Sequence, residues 1–249
     1  MSTIHVERVR APAKLRFFFV GLGLFAIAIA AIAFVPEYLR YLTGRFPIAP
    51  ELHVHGVLMV AWLVMFTTQA WLGSTGRIAL HRRTGSYGVA FGILVGISMV
   101  FVELRVLVAH PLPTDWTGYD ELLQDVYAPV TFVALLLWAA HERRRPTWHK
   151  RLMAIATFTA LLAPIERLEW LPELGIGFVF ASVFWLDLCL IIPLVAYDFI
   201  DAKRAHPATV RGLLLMLGAQ ATMVLAWGTA PWRNIAFAVA HAVRAAVGM

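Results

Sequence analysis

Cysteine is almost absent from this chain of 249 residues, in which Cys189 is the single cysteine. One cysteine excludes an internal disulfide, a cysteine-ligated iron–sulfur cluster and haem attachment through a CxxCH motif. Charged residues are also scarce, at 14% of the chain against 60% hydrophobic residues, whereas soluble domains are about one quarter charged. This composition excludes a soluble globular enzyme and an intrinsically disordered chain.

Lysine is the rarer cation, since only three of the 21 cations are lysine and the others are arginine. The formal net charge is +6, but no basic stripe is interleaved with exposed aromatic residues, so nucleic-acid binding is not expected. The sequence also contains no phosphate loop, no serine nucleophile elbow and no HExxH motif. Any function must therefore come from the long apolar segments and the polar residues placed within them.

Seven apolar segments fill most of the chain, and each approaches the ~20 residues that a helix needs to cross a bilayer. Because backbone groups in lipid must be satisfied internally, each segment is predicted to be helical. The predicted spans are residues 17–35, 55–73, 86–109, 122–140, 152–168, 176–197 and 211–229. Pro129, Pro164 and Pro193 are expected to kink their helices without ending them. The predicted fold is one all-α bundle, residues 1–249, with seven transmembrane helices.

Arginine and lysine are distributed unevenly among the segments that connect these spans. Segments 1–16, 74–85, 141–151 and 198–211 hold 15 of the 21 cations, whereas the opposite connections are rich in acids. Because cationic loops favour the cytoplasm, the N-terminus is predicted to be cytoplasmic and the C-terminus periplasmic, in a bacterial inner membrane. Residues 231–248 are predicted to form a short interfacial helix on the bilayer.

Histidines and carboxylates gather on the predicted periplasmic side. His53 and His55 precede the apolar part of the second span, and His110 follows the third span, seven residues after Glu103. Imidazole and carboxylate together suit a divalent transition metal, so His53, His55, His110 and Glu103 are the candidate metal ligands. The first two could share one ion only in an extended segment, because helical residues two apart diverge by about 200°. Such a centre would support a metal-dependent enzyme or redox protein acting on a lipid-soluble substrate.

Three further acids complete the candidate catalytic set. Asp125 begins the fourth span and Glu166 ends the fifth, both on the same side as Glu103. Asp187 lies deeper, near the middle of the sixth span, where Gln220 of the seventh is a candidate hydrogen-bond partner. Ionisable residues inside a membrane face a partner or a cavity, so these four acids are predicted to lie inside the bundle.

A purely structural interpretation competes with catalysis. Arg105 or Arg167 would pair with these acids and hold the bundle together without chemistry. The same residues would then belong to a non-catalytic accessory or assembly subunit, or to a transporter whose buried charges mark an ion path.

Haem b is a further alternative, because it needs axial ligands from two helices at one depth. His55 with His110 would satisfy this requirement on the periplasmic side, and His81 or His141 with His149 on the cytoplasmic side. The last three histidines lie in arginine-rich loops, so contact with anionic lipid phosphates is the simpler expectation for them.

Two small sequence patterns concern packing. The tripeptides His-Arg-Arg at 81–83 and His-Lys-Arg at 149–151 each open a helix after a short turn, which is compatible with two related hairpins. Gly92 and Gly96 in the third span form a small-xxx-small pattern. This pattern allows close helix approach, and we expect it to serve packing within the chain.

The HxHG motif at 53–56, the LHRRxG motif at 80–85 and the HKRLM run at 149–153 resemble motifs of uncharacterised bacterial polytopic membrane proteins. The resemblance covers the second to fifth spans and implies a multi-pass bundle, but it implies no particular activity. A looser likeness to cytochrome b561-type bundles rests on the histidines at helix ends and would imply haem b.

Overall fold

A computed structural model describes residues 15–44, 49–109 and 116–248, and every regular element in these ranges is helical. The helices are α1 (Phe18–Leu42), α2 (Pro50–Ser74), α3 (Ile78–Ala109), α4 (Trp116–His141), α5 (Pro146–Thr159), α6 (Leu162–Glu166), α7 (Phe178–Ala202), α8 (Pro207–Ala226) and α9 (Ala230–Ala246). A 3₁₀ turn, Glu142–Arg144, joins α4 to α5. Among the described residues, α1, α2, α3, α4, α7 and α8 are long and apolar enough to cross a membrane. The prediction of an all-α, multi-pass membrane protein is confirmed at this level.

The predicted fifth span, residues 152–168, is not one continuous helix. It contains most of α5, a two-residue turn and the short α6. Pro164 explains the break, because it has no N–H to donate to the carbonyl of Ala160 and its ring crowds that carbonyl. The expectation that Pro164 would only kink a helix is wrong, whereas Pro129 and Pro193 do lie inside continuous helices.

The segment formed by α5 and α6 lies in the core of the bundle and runs antiparallel to α4. Residues 154–160 are all buried. Near the start of the segment, His149 contacts the carbonyl of Ala139, and at its end Glu166 contacts Gln124. These two α4 positions are about 22 Å apart along the helix axis, so the broken segment reaches from one end of the bundle to the other.

The arginine-rich connections meet at one end of the bundle, which we call the basic end. There the Nε of Arg16 donates to the carbonyl of Ser74 at 2.6 Å. The rings of Trp148 and His206 lie 6.0 Å apart, centre to centre. These contacts bring the segments before α1, after α2, after α4 and after α7 together, as the distribution of arginine predicted.

Acidic residues mark the opposite end, which we call the acidic end. Arg167 pairs there with Glu37 at 3.1 Å, joining the end of α6 to α1. Arg233 pairs with the buried Asp120 at 2.6 Å and so docks α9 against α4. The predicted C-terminal helix is therefore present, and it is attached to the same end as the candidate catalytic acids Glu103, Asp125 and Glu166.

Candidate functional site

The structure separates the two histidines of the HxHG motif. α2 begins at Pro50, whose fixed φ suits the first position of a helix, so the extended segment that joint chelation requires is not formed. The Nδ1 of His53 lies 3.4 Å from the Tyr38 hydroxyl of α1, whereas the Nδ1 of His55 lies 3.1 Å from the Ser98 hydroxyl of α3. His53 and His55 therefore face different neighbours and cannot both bind the same ion in this arrangement.

His55 is held in a defined tautomer. The Ser98 hydroxyl donates to the carbonyl of Val95 at 2.7 Å, so its oxygen accepts a hydrogen bond from the Nδ1–H of His55. The Nε2 of His55 is then left with its lone pair, which is the form in which an imidazole binds a metal or accepts a proton.

Three of the predicted acids meet at the acidic end. The carboxyl groups of Glu103 in α3 and Asp125 in α4 lie close enough to interact with each other. Glu166 of α6 interacts electrostatically with both, and its Oε1 accepts a hydrogen bond from the Nε2 of Gln124. We call Glu103, Gln124, Asp125 and Glu166 the carboxylate cluster. The sequence placed its three acids on one side of the membrane, and the structure brings them together.

Gln124 is a member of this cluster that the sequence analysis did not identify. Its side chain is 8% exposed, and its Oε1 is buried without a hydrogen-bond partner in the described part of the chain. A buried oxygen of this kind costs about 1–3 kcal/mol when it is left unpaired. In the sequence, the one feature that indicates a role for Gln124 in the cluster is its position directly before Asp125 in a polar stretch. The cluster therefore places an amide oxygen beside three carboxyl groups, a set that suits a shared proton.

The expected pairing of arginine with these acids is wrong for the described residues. Arg105 binds Glu51 at 2.9 Å and Arg167 binds Glu37 at 3.1 Å, and both ion pairs are solvent-accessible. Exposed pairs of this kind contribute little to stability, because solvent screens them. Arg167 is near enough to act electrostatically on Glu103 and Glu166, but its ion pair is with another acid. Among the described residues, the carboxylate cluster therefore forms no ion pair with Arg105 or Arg167.

Asp187 belongs to a different contact. The Nε2 of Gln220 donates to its Oδ1 at 2.9 Å and joins α7 to α8, as the sequence predicted. Tyr127 of α4 is close enough to interact with both side chains. Because helical positions 125 and 127 diverge by about 200°, this contact and Asp125 lie on different sides of α4. The Asp187–Gln220 hydrogen bond fits an interhelical packing role.

The metal and haem predictions for the acidic end stay predictions. Among the residues that the structure describes, no group of three or more His, Cys, Asp or Glu side chains is arranged to hold a metal ion. His110, a predicted metal ligand and haem ligand, lies outside the described residues. Of the other proposed metal ligands, Glu103 belongs to the carboxylate cluster, and His53 and His55 lie near the start of α2.

Comparison with known proteins finds no protein-family model, no curated protein and no solved structure that matches this chain. The resemblance carried by the HxHG and LHRRxG motifs therefore stays a prediction. The function of the protein must therefore be inferred from its own residues and contacts.

Two histidines at the basic end form a closer pair than the sequence indicated. The rings of His81 in α3 and His149 in α5 are 6.2 Å apart, centre to centre, with their planes at 84°. The Nδ1 of His81 lies 3.2 Å from the carbonyl of Gln69, and the Nδ1 of His149 lies 2.8 Å from the carbonyl of Ala139. A carbonyl only accepts hydrogen bonds, so both Nδ1 atoms donate, and in the neutral imidazole the lone pair is then on Nε2.

Arg151, at the same end, is buried in the protein and does not reach lipid phosphates. Its Nη2 lies 2.6 Å from the Oδ1 of Asp198, and neither side chain is exposed. The other carboxylate oxygen of Asp198 accepts the backbone N–H of His206 at 2.8 Å. Burial, and then the charge of Arg151, lower the pKa of His206, which keeps its Nδ1 free to accept the N–H of Ala208 at the start of α8. The charge of Arg151 is therefore paired inside the protein, and the lipid contact expected for His81, His141 and His149 stays a prediction.

Proposed function

We propose that this protein is a multi-pass protein of the bacterial inner membrane that exchanges protons at the carboxylate cluster while a lipid-soluble substrate is converted or carried. The observation that carries the proposal is the close approach of the carboxyl groups of Glu103 and Asp125, which come from two different helices. Two carboxyl groups can hydrogen-bond to each other only when one of them carries a proton. The pair is therefore proposed as a proton-holding site between two helices.

The orientation proposed for the protein follows from its charges. Cationic connections favour the cytoplasm, so the basic end would be cytoplasmic and the carboxylate cluster would lie on the periplasmic side. The broken segment α5–α6 would be a seventh crossing, since irregular backbone is tolerated at membrane depth where protein surrounds it. α9 would then be an interfacial helix on the periplasmic side.

The environment of the cluster supports proton exchange over a structural role. Acids within a membrane are costly and mark ion paths or proton relays in many membrane proteins. Here the nearby arginines bind Glu51 and Glu37, and Gln124 adds an unpaired acceptor oxygen. Paired carboxyl groups can act as general acid and general base toward one substrate, with the protonated member donating and the ionised member accepting. Glu103 and Asp125 are the residues proposed for these two roles, and Glu166 is proposed to assist them.

Infrared spectroscopy of the protein in lipid nanodiscs tests the shared proton. We expect the C=O stretching band of a protonated carboxyl group to persist at neutral pH, because a proton shared between Glu103 and Asp125 keeps one of them protonated. The double variant Glu103→Gln and Asp125→Asn preserves the shape of both side chains and is expected to remove this band. Glu173→Gln, which replaces an exposed acid between α6 and α7, is the matched control and is expected to leave the band unchanged. A neutral-pH spectrum without the band, or a band that survives in the double variant, contradicts the proposal.

A divalent transition-metal centre is the second candidate for the acidic end. Its ligands would be His55, His110 and Glu103, and the free Nε2 of His55 is the observation that favours it. Such a centre would make the protein a metal-dependent enzyme or redox protein. Replacing His55 by alanine is then expected to weaken metal binding by about tenfold or more, as measured by elemental analysis after dialysis against buffered metal. The control is His53→Ala, which removes a ring that faces Tyr38. Equal metal contents in the two variants would reject this candidate.

A further inference from the structure

The histidine pair at the basic end lies outside the carboxylate cluster and has its own geometry. His81 and His149 come from two different hairpins, one formed by α2 and α3 and the other by α4 and α5. In each hairpin the histidine near the start of the second helix donates through Nδ1 to a carbonyl near the end of the first helix. The two similar tripeptides, 81–83 and 149–151, thus make the same kind of contact in the structure.

Both rings are fixed in the orientation that metal-binding imidazoles commonly have. A hydrogen bond from one ring nitrogen to a backbone carbonyl sets the tautomer and leaves the other nitrogen as the ligand. In His81 and in His149 that remaining nitrogen is Nε2. If the two bonds served only the helix ends, each histidine could act alone in its own hairpin, and the rings would not need to meet. The approach of the two rings across α3 and α5 is an additional contact, which brings together imidazoles from two different hairpins.

The separation of the rings is compatible with a shared metal. With metal–nitrogen bonds of about 2.0–2.1 Å, two imidazoles on opposite sides of one metal have ring centres roughly 6.3 Å apart. The observed separation is 6.2 Å, with the planes almost perpendicular, which is also the geometry of an edge-to-face ring pair. The fixed Nδ1 atoms and the approach of the two rings together point to a shared ligand.

We propose that His81 and His149 bind a transition-metal centre between their Nε2 atoms at the basic end of the bundle. The shared chemistry is a metal that accepts two opposed imidazoles, supplied either by haem iron or by a single metal ion. The exposed Arg82 and Arg83 follow His81 directly and provide positive charge that complements the propionates of a haem. This site is independent of the carboxylate cluster, so each can exist without the other.

Two titrations of the purified full-length protein in nanodiscs separate the metal sources. Hemin is added in one, and the expected result is a stoichiometric low-spin spectrum typical of two imidazole ligands. Cu²⁺ is added in the other, and the expected result, if a single ion is the natural occupant, is an electron paramagnetic resonance spectrum split by two nitrogens. Either result supports the site and identifies its source. Failure of both probes to bind stoichiometrically to the wild-type protein overturns it, and this outcome does not depend on how any variant folds.

Variants test whether His81 and His149 are the residues that bind hemin or Cu²⁺. His81→Gln and His149→Gln keep an N–H that can donate to the same carbonyls but remove the imidazole, and each is expected to weaken binding by about tenfold or more. His141→Gln, at the exposed end of α4, and the double variant Glu103→Gln with Asp125→Asn are expected to bind as the wild type does. Unchanged binding in the combined His81→Gln and His149→Gln variant would overturn the assignment.

Discussion

Replacing Asp198 by alanine is expected to lower the free energy of unfolding by about 3–5 kcal/mol, because it leaves the buried charge of Arg151 without its partner. Two nitrogens of Arg151 reach the Oδ1 of Asp198, at 2.8 Å from Nε and 2.6 Å from Nη2. Neither side chain is exposed, so water cannot replace the lost carboxylate. Asp201 is 3.6 Å from the same guanidinium, and its longer contact is expected to recover only part of the loss.

The measurement is unfolding of the purified protein in mixed micelles of increasing sodium dodecyl sulfate. Glu142→Ala is the matched control, because it removes a nearby ion pair with Arg145, whose side chain is 66% exposed. That control is expected to cost less than about 1 kcal/mol. Replacing both Arg151 and Asp198 by leucine is expected to recover most of the stability, since apolar residues often substitute for a buried ion pair without loss. A stability for Asp198→Ala within error of the control would show that the pair is not buried in the membrane-embedded protein.

Hydropathy located seven apolar segments, of which six correspond to long single helices among the described residues, whereas the fifth is broken. A bilayer requires long apolar helices, so segments that face lipid can be recognised in the sequence as long apolar runs. Hydropathy does not distinguish lipid from protein core, and residues 152–168 are apolar because other helices surround them. The observed helices also begin and end at other residues than the predicted spans. α3 begins at Ile78 and not at residue 86, because arginine is a good helix former and is excluded only from the apolar layer.

Depth along the membrane normal could be predicted for the candidate site, but contacts could not. Glu103, Asp125 and Glu166 were placed on one side by counting residues, and the structure joins them. Which side chains touch depends on the rotation of each helix about its axis and on which helices are neighbours. Gln124 was missed for that reason, although it is next to Asp125. The pairing of His81 with His149 was likewise one of several options in the sequence, because it joins helices that are not consecutive.

Replacing Gly92 by alanine is expected to lower the free energy of unfolding by about 1–3 kcal/mol, because the added methyl group overpacks a filled interior. A Cβ at this position would lie 2.6 Å from the Cδ2 of Leu136 in α4 and 2.7 Å from the Cζ3 of Trp62 in α2. Both neighbours are at most 1% exposed, so neither can move into free space. Gly96, one turn later, faces Val133 of α4 in the same way. The small-xxx-small pattern is therefore used for packing within the chain.

Gly21→Ala in α1 is the matched control, because a Cβ there meets no atom within 4 Å. Alanine is favoured over glycine inside helices by about 1 kcal/mol, so this variant is expected to be as stable as the wild type or slightly more stable. Unfolding in mixed micelles and the oligomeric state in native mass spectrometry would be measured for both variants. If Gly92 packs inside one chain, its substitution changes the unfolding transition while the oligomeric state stays that of the control. A Gly92→Ala protein that unfolds like Gly21→Ala but changes its oligomeric state would instead place Gly92 and Gly96 at a contact between two copies.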